Sequence, residues 1–225
     1  MHIDFISDVS CPWYAIGLQG LLQAVRQLQA EAPGGFPVTL AFLPFELNPD
    51  MPPGGQDIGE HLTQKYGSTL EQQVQIRATI AQRGVEVGFA FSPEGRGRIY
   101  NTAHAHRLLH WAGLQGQSAQ SSQLALKQAL LVACHGQRQA MDDRNVLLAC
   151  VQQAGLDTAE AQEVLNDGRY AEEVREAEAM ISEAGIRAVP AVVVNQRHLI
   201  SGGQPVAHYV RALREIAAQM TAKDE

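Results

Sequence analysis

The chain has 225 residues, 45% of them hydrophobic, which is enough for one large domain or for one domain with an insertion. Its net charge of −7 argues against a nucleic-acid or anionic-membrane partner, and no apolar stretch approaches the ~20 residues of a membrane-spanning helix. The three cysteines, Cys11, Cys134 and Cys150, form no close pair, so they fit neither a disulfide framework nor a zinc site. Since a predicted strand begins at once, without a signal sequence, we expect a cytoplasmic protein.

The first predicted elements lie on either side of Cys11. Residues 2–6 alternate in polarity and predict a strand, and apolar residues at helical spacing from position 18 to 28 predict a helix. Ser10 is expected to cap this helix, and Pro12 suits its first turn. A second strand is expected over residues 37–43, followed by an irregular segment, rich in proline and glycine, over residues 44–55.

The next segment has the signals of two helices. Asp57 with Glu60, and Ser68 with Glu71, have the spacing of capping boxes. Leu70, Val74 and Ala81 would share one face of the second helix, which Gly84 would end. Residues 85–91 alternate and are expected to be extended, and residues 92–98 to form a loop.

The rest of the middle of the chain is also predicted to be helical. Asn101 is expected to cap a helix that ends at Gly113, and Asp157 with Glu160 has the spacing of another capping box. Further helices are expected at about residues 124–134, 143–154 and 157–165.

The last quarter combines two helices and two strands. A helix is expected over residues 170–184, with Gly185 ending it, then strands over 191–195 and 198–201, then a final helix with one apolar stripe. That stripe consists of Val206, Tyr209, Val210, Leu213, Ile216 and Met220. The predicted order is therefore βαβ, a block of helices, and αββα, an α/β arrangement.

Cys11 is the candidate for chemistry because it lies where a strand ends and a helix begins. Unpaired backbone N–H groups and the positive end of the helix dipole favour its thiolate, and we expect a pKa below that of free cysteine. The thiolate would be a nucleophile for disulfides or for electrophilic carbon. The alternative interpretation is a buried structural cysteine.

Two separated motifs give the chain a family resemblance. The first is Cys11-Pro12-Trp13-Tyr14 between a strand and a helix, and the second is Gly185-Ile186-Arg187-Ala188-Val189-Pro190 before an apolar strand. Together they resemble the DsbA family, which implies a thioredoxin fold with an all-helical insertion domain. The fold domain would comprise residues 1–50 and 170–225, and the insertion residues 51–169. The resemblance also implies that Pro190 is in the cis form and packs against the active-site cysteine.

Three further blocks narrow the resemblance to the FrnE-like branch, grouped with 2-hydroxychromene-2-carboxylate isomerases and kappa-class glutathione transferases. These blocks cover residues 44–52, 101–112 and 201–205. One departure is that Tyr14 stands where the branch usually has a second cysteine. The second thiol of a dithiol site releases the substrate from the mixed disulfide, so an oxidase cycle within the motif is excluded.

The resemblance implies a set of residues that bind substrate around Cys11. The backbone of Val189, next to Pro190, would pair with an extended substrate. Asn48 and His106 come from the FrnE-like blocks. Trp13 would form an apolar wall, and Tyr14 would donate a hydrogen bond to the sulfur or fill the space of the missing cysteine. Gly203 and Gln204 stand where the kappa-class relatives have a Ser-Asp pair for glutathione.

Other polar residues have simpler interpretations. His104, His106 and His110 lack the ligand spacing of a metal site, and at least two are expected to be ordinary core or surface histidines. Arg96 and Arg98 could hold an anion, but they lack the spacing of a phosphate loop, so we expect them in a solvated loop. Cys134 and Cys150 are expected to be packed and inert.

These observations lead to three hypotheses. The first is a thiol–disulfide oxidoreductase or isomerase that uses Cys11 alone, with no required cofactor and with glutathione as a candidate co-substrate. The second is a glutathione-dependent isomerase or transferase for a small aromatic substrate, with Cys11 in place of the relatives' serine. The third is a non-enzymatic binding module. The partner would be a thiol or disulfide, protein or small molecule, with no nucleic acid, membrane or metal ion involved.

Overall fold

The structure is a computed structural model that describes residues 1–32, 35–116, 119–186 and 189–221. Within these ranges the chain forms a four-stranded mixed sheet with the order β2-β1-β5-β6. The strands are β1 (His2–Ser7), β2 (Thr39–Pro44), β5 (Ala191–Val194) and β6 (His198–Ser201). Strand β1 runs parallel to β2 and antiparallel to β5, and β6 is antiparallel to β5.

Helices cover the sheet and fill the segment between β2 and β5. They are α1 (Pro12–Glu31), α2 (Ile58–Tyr66), α3 (Leu70–Glu86), α4 (Ala103–Ala112), α5 (Ala119–Leu131), α6 (Arg144–Gln153), α7 (Thr158–Asp167), α8 (Ala171–Glu183) and α9 (Val206–Thr221). A π-helical segment, Val132–Gly136, continues α5. This order is the βαβ, helices and αββα that the sequence predicts, and it is the thioredoxin fold of the DsbA type.

Two large apolar cores and a third, smaller cluster around Ile6, Ile181 and Ala191 stabilise the described layers. The first joins the sheet to α1 and α9, with Phe5, Leu18 and Leu213 fully buried, and α3 packs against α1 beside it. The second lies among α4 to α7 and includes Trp111 and Leu147. No described helix is long and apolar enough to span a membrane.

The insertion is not entirely helical, which corrects the prediction. Two short strands, β3 (Gln56–Asp57) and β4 (Arg98–Ile99), pair antiparallel with each other. Residues 85–91 are also not extended as expected. The first two of them complete α3. The chain then turns so that the rings of Phe89 and Phe91 pack together, with their centroids 4.7 Å apart. The alternation in this segment therefore reflects tertiary burial and not a strand.

Several predicted helix ends are shifted by one residue or more. The capping box of α3 is formed by Thr69 and Gln72 instead of Ser68 and Glu71, since a hydroxyl stands at both positions. Gly84 lies inside α3 and is buried because its backbone is close to Phe91, so it does not end the helix.

The predicted apolar face of α3 is not part of a core: Leu70 and Val74 are 76% and 61% exposed. Asn101 does bond the first turn of α4, through Ala103 N, although Thr102 is the capping position. Asp57 and Asp157 cap α2 and α7 as predicted.

Candidate active site

Cys11 occupies the N-cap position of α1, directly after the turn that leaves β1. Pro12 begins the helix as predicted, but the Ser10 hydroxyl is buried and caps no N–H group, so the prediction that Ser10 caps α1 is wrong. The backbone N–H groups of Trp13 and Tyr14 lie near the sulfur without closing a full capping hydrogen bond. The thiol is half-buried, and all three cysteines of the chain are free.

The sequence predicted a lowered pKa for Cys11, and the structure contradicts this prediction. Burial, the largest effect, raises the pKa of the Cys11 thiol to about 11, and the buried Asp8 carboxylate adds to this rise. The N–H groups of Trp13 and Tyr14 and the Arg96 guanidinium lower it, but by less. Part of the thiol surface is exposed, yet the surrounding protein is dense enough to keep water from most of it.

Asp8 organises the turn that carries Cys11. Its side chain is completely buried and accepts hydrogen bonds from Ser10 N at 3.0 Å and from Leu47 N at 2.8 Å. His106 Nε2 lies 3.7 Å from Asp8 Oδ1, an ion-pair distance rather than a full hydrogen bond. Burial raises the pKa of Asp8, but His106 and the two N–H groups outweigh it and hold the pKa far below its usual value.

A cavity of about 330 Å³ opens beside the sulfur. Cys11, Pro12 and Trp13 form one wall, and α2 and α3 of the insertion form the opposite wall with mostly apolar side chains, Leu62, Ile76 and Ile80 among them. A cavity of this size and character falls in the range of small-molecule sites. Cys11 therefore lines a partly open and mostly apolar pocket.

Two arginines add positive charge to this cavity. Arg96 and Arg77 both line it, and the Arg96 guanidinium donates a hydrogen bond to Ser10 O in the active-site turn. The prediction that Arg96 lies in a solvated loop is therefore wrong. Arg98 does stay exposed, and it bonds the carbonyls of Gly54 and Gly55 away from the cavity.

The π-helical segment also stabilises the active-site turn, through His135. His135 Nε2 donates a hydrogen bond to Val9 O at 2.9 Å, and burial lowers the pKa of His135 well below its usual value. Cys134 precedes it and is 4% exposed. Burial raises the pKa of Cys134 and that of Cys150, the latter to about 11, consistent with the packed, inert thiols that the sequence predicts.

Val189 and Pro190 are joined by a cis peptide bond at the start of β5, as the resemblance implied. Arg187 and Ala188, which precede them in the motif, lie outside the described residues. Pro190 packs against the first turns of α1, where its ring lies 3.4 Å from the position that a Cβ on Gly17 would occupy. Gly203 reaches the same region, because a Cβ there would lie 3.0 Å from Trp13 O.

The other predicted substrate residues separate into two groups. Asn48 lines the cavity, where its side chain accepts a hydrogen bond from Lys65 Nζ at 2.8 Å. Gln204 bonds Ser201 O and does not line the cavity. Tyr14 is completely buried in the core, which favours the interpretation that its ring fills space. Trp13 lines the cavity, as predicted.

His106 does not lie over the thiol, which corrects the prediction of direct substrate contact at Cys11. It is 2% exposed and reaches the active-site turn only through Asp8. His104 lies before His106 on the same helix and His110 after it, and burial lowers the pKa of each. No group of three or more potential metal ligands occurs in the described part of the chain.

Sequence reasoning missed the residues that the insertion brings to the site. These are Arg77, His61, Tyr66 and the α3 side chains, together with Asp8 from the strand side. The capping pattern predicted α2 and α3 themselves, but nothing in the sequence predicts which face of each helix meets Cys11.

Comparisons with known proteins agree with this fold. The family profile described as a DSBA-like thioredoxin domain matches residues 2–214. A probable DsbA oxidoreductase from Streptomyces coelicolor is 29% identical, with a TM-score of 0.82 over 96% of this chain and 89% of that chain. A search of curated protein sequences returns no match.

Two more distant structures are similar in fold. A 2-hydroxychromene-2-carboxylate isomerase is 15% identical, with a TM-score of 0.68 over 99% of this chain and 98% of that chain. The cytosolic disulfide reductase DsbM from Pseudomonas aeruginosa, solved with GSH, is 16% identical, with a TM-score of 0.61 and the same two coverages.

Proposed function

The chain belongs to the family of DSBA-like thioredoxin domains, and we propose that it is a thiol–disulfide oxidoreductase or isomerase that acts through Cys11 alone. The observation that carries this proposal is the position of Cys11. It lies at the N-terminus of α1, the helix that Pro190 packs against at Gly17, and at the wall of an apolar cavity. Within the family, the blocks at residues 44–52, 101–112 and 201–205 favour the FrnE-like branch, although Tyr14 departs from the usual motif of that branch.

The reaction would proceed through one mixed disulfide. Cys11 loses its proton to solvent, and its thiolate attacks a disulfide R–S–S–R′, forming Cys11–S–S–R and releasing R′–S⁻. An outside thiolate, with glutathione as the candidate, then attacks the mixed disulfide, which restores the Cys11 thiolate and releases R–S–S–G. Tyr14 supplies no second thiol, and Cys134 and Cys150 are buried, so an internal resolving step is not expected.

The cavity suggests what the substrate would look like. Its apolar walls favour a disulfide with an apolar side chain or body, while Arg77 and Arg96 favour a negative charge near the thiol. Asn48 lines the same cavity and the Val189 backbone would pair with an extended substrate. Dependence on glutathione would suit a reducing compartment such as the cytoplasm.

The test is reduction of a small mixed disulfide with glutathione as the electron donor, coupled to glutathione reductase. We expect turnover by the wild-type protein and its loss in Cys11→Ser, with Cys150→Ala as a matched control that retains activity. Trapping should give a mixed disulfide on Cys11 by peptide mass spectrometry. Equal turnover by Cys11→Ser would exclude this function.

A second candidate is a glutathione-dependent isomerase or transferase for a small aromatic substrate. Two observations favour it: the cavity is mostly apolar, and the pKa of Cys11 is raised to about 11, so the sulfur stays a thiol at neutral pH. A thiol can donate a weak hydrogen bond to a bound glutathione thiolate, as a serine hydroxyl would.

One variant separates the two candidates. Cys11→Ser would abolish disulfide reduction in the first case, but in the second it would retain glutathione-dependent conversion of an electrophilic aromatic probe such as 1-chloro-2,4-dinitrobenzene. A protein that does neither reaction, and whose binding of partners is unchanged in Cys11→Ser, would instead be the binding module.

A further inference from the structure

A second cavity, of about 220 Å³, lies between the edge strand β2 and helices α4, α5 and α8. It shares no lining residue with the cavity at Cys11 among the residues that the structure describes. Its mouth is formed by Leu114, which is 57% exposed, and by the half-buried Ala177. Its walls are mostly apolar, with Phe42 and Leu109 among them. It is therefore a small apolar chamber that is open to solvent on one side.

Lys127 lies in the wall of this chamber, and its amine is buried. Its side chain is completely buried, and its Nζ has no hydrogen-bond partner within the described ranges. Gln123, one helical turn earlier, has the opposite character. It bonds the N–H and C=O of Phe42 at 3.0 and 3.1 Å and thereby pairs with the edge of the sheet. Burying an amine without a partner is costly, so Lys127 requires an explanation that Gln123 does not.

Asp8 does not supply the missing partner. It is the charged group that interacts most with Lys127, but its Oδ1 already accepts from Ser10 N and its Oδ2 from Leu47 N. The long-range attraction of Asp8 does not prevent burial from lowering the pKa of Lys127 to about 7. The three N–H donors of a charged Lys127 thus remain available to a ligand.

A second residue that lines the same chamber, His106, also has an unsatisfied nitrogen. His106 Nε2 is buried and has no hydrogen-bond partner in the described part of the chain, and its nearest acidic atom, Asp8 Oδ1, lies 3.7 Å away. Two nitrogen donors on neighbouring helices suit the two oxygens of a carboxylate. Asp8, Glu46 and Glu178 all interact electrostatically with His106, so a dianion such as phosphate would be repelled more strongly than a monoanion.

We propose that this chamber binds a small apolar monocarboxylate, whose oxygens accept hydrogen bonds from Lys127 Nζ and His106 Nε2. The hydrocarbon part would lie between Phe42 and Leu109, with Leu114 and Ala177 at the mouth. About 220 Å³ is below the usual range for drug-sized ligands, which limits the ligand to a single ring or a short chain. This site is separate from Cys11, and the proposal does not depend on the function proposed above.

The test is titration of the protein with 4-fluorobenzoate, followed by ¹⁹F NMR. We expect saturable binding to the wild-type protein with a Kd of millimolar order or tighter, and binding at least about tenfold weaker in Lys127→Met. Lys127→Met should fold, because an apolar side chain of similar shape replaces a buried amine without a partner. Cys11→Ser should bind like the wild type.

A matched pair on α8 locates the binding. Ala177→Phe fills the mouth and should abolish it, whereas Ala179→Phe, on the exposed face of the same helix, should leave it unchanged. Neutral 4-fluorobenzamide should bind at least about tenfold more weakly than the carboxylate. The proposal is overturned if 4-fluorobenzoate does not bind the wild-type protein or if Lys127→Met or Ala177→Phe binds it equally well. It is also overturned if 4-fluorobenzamide binds as tightly as 4-fluorobenzoate.

Discussion

The pH dependence of Cys11 alkylation tests how the site controls its thiol. With a pKa of about 11, roughly 1 in 10⁴ of the Cys11 side chains is a thiolate at pH 7, against about 3 in 100 for free cysteine. The thiolate fraction of Cys11 at pH 7 is thus roughly 300-fold below that of free cysteine. A more basic thiolate is also a better nucleophile, by about tenfold over this difference in pKa, so the net rate should be about 20- to 30-fold below that of free cysteine.

The assay is alkylation by iodoacetamide across pH 6 to about 10.5, with peptide mapping to separate Cys11 from the two buried cysteines. We expect the logarithm of the Cys11 rate to rise by about one per pH unit over the whole range, without a plateau. A plateau below pH 8, or a rate at pH 7 above that of free cysteine, would contradict the conclusion that burial outweighs the helix terminus.

Arg96 provides the second part of this experiment. Its charge lowers the pKa of Cys11, so Arg96→Leu should raise that pKa further and slow alkylation at every pH below it. Arg96→Lys should retain most of the wild-type rate because it keeps the charge. Arg98→Leu is the matched control, since Arg98 bonds Gly54 and Gly55 away from the cavity and should not change the profile. Equal effects of Arg96→Leu and Arg98→Leu would show that Arg96 does not act on the thiol.

Three further predictions follow from buried groups. Asp8→Asn should speed Cys11 alkylation at pH 7, because it removes a buried charge that raises the thiol pKa. It should also lower the free energy of unfolding by about 1–3 kcal/mol, because the amide that replaces the carboxylate cannot accept hydrogen bonds from both Ser10 N and Leu47 N. An unchanged alkylation rate would show that the Asp8 charge does not raise the pKa of the Cys11 thiol. Lys127→Met should stabilise the fold by about 3–5 kcal/mol at pH 7, because the pKa of Lys127 falls from 10.5 to about 7 on folding. The wild type then gains stability as pH rises between these values, so the difference should shrink toward pH 10, and a constant difference in urea unfolding would refute it. The other ionisable groups at this chamber are His106 and His110 in its wall and the carboxyl groups that interact with Lys127 or His106, namely Asp8, Glu46 and Glu178. Arg26→Met, at an exposed site, controls for loss of charge. Gly84→Ala should destabilise the fold by about 2 kcal/mol or more, because a Cβ would lie 2.5 Å from the Phe91 ring and 2.7 Å from Phe89 O. Gly17→Ala is the control, since its Cβ would meet nothing closer than 3.4 Å, and thermal unfolding should show a much smaller loss of stability for it.

The sequence predicts the order of elements because the signals for them are local. The strand at His2–Ser7, the proline at the start of α1 and the stripe of α9 can each be recognised within a few residues. Errors of one position occur where two neighbouring residues could both be the N-cap, as with Ser68 and Thr69 at the start of α3. The extended segment predicted at residues 85–91 failed because its alternation comes from Phe89 and Phe91 packing against distant residues.

The electrostatics of the site could not be predicted in the same way. The helix terminus at Cys11 is local and visible in the sequence, and it does lower the thiol pKa through Trp13 and Tyr14. The opposing burial depends on tertiary packing, which also places α2 and α3, about 50 residues or more away in the chain, at the cavity beside Cys11. Lys127 shows the same limit, because a lysine within a helix is usually exposed and only the packing of α5 against β2 reveals that this one is buried.

The insertion therefore determines which chemistry the site can do. In a site open to solvent, the helix terminus alone would govern the thiol, and a low pKa would suit rapid exchange with large disulfides. Here α2 and α3 convert the same position into an apolar pocket, and the burial that creates a binding site for a small molecule also raises the pKa of Cys11. Substrate affinity and thiolate formation are thus opposed at this site, and Arg96 is the positive side chain on the cavity wall that lowers the thiol pKa. A substrate that carries its own negative charge would compete with the thiolate for that arginine. A neutral or weakly charged disulfide would leave Arg96 to stabilise Cys11, and the substrate charge therefore decides how much of the thiol can react.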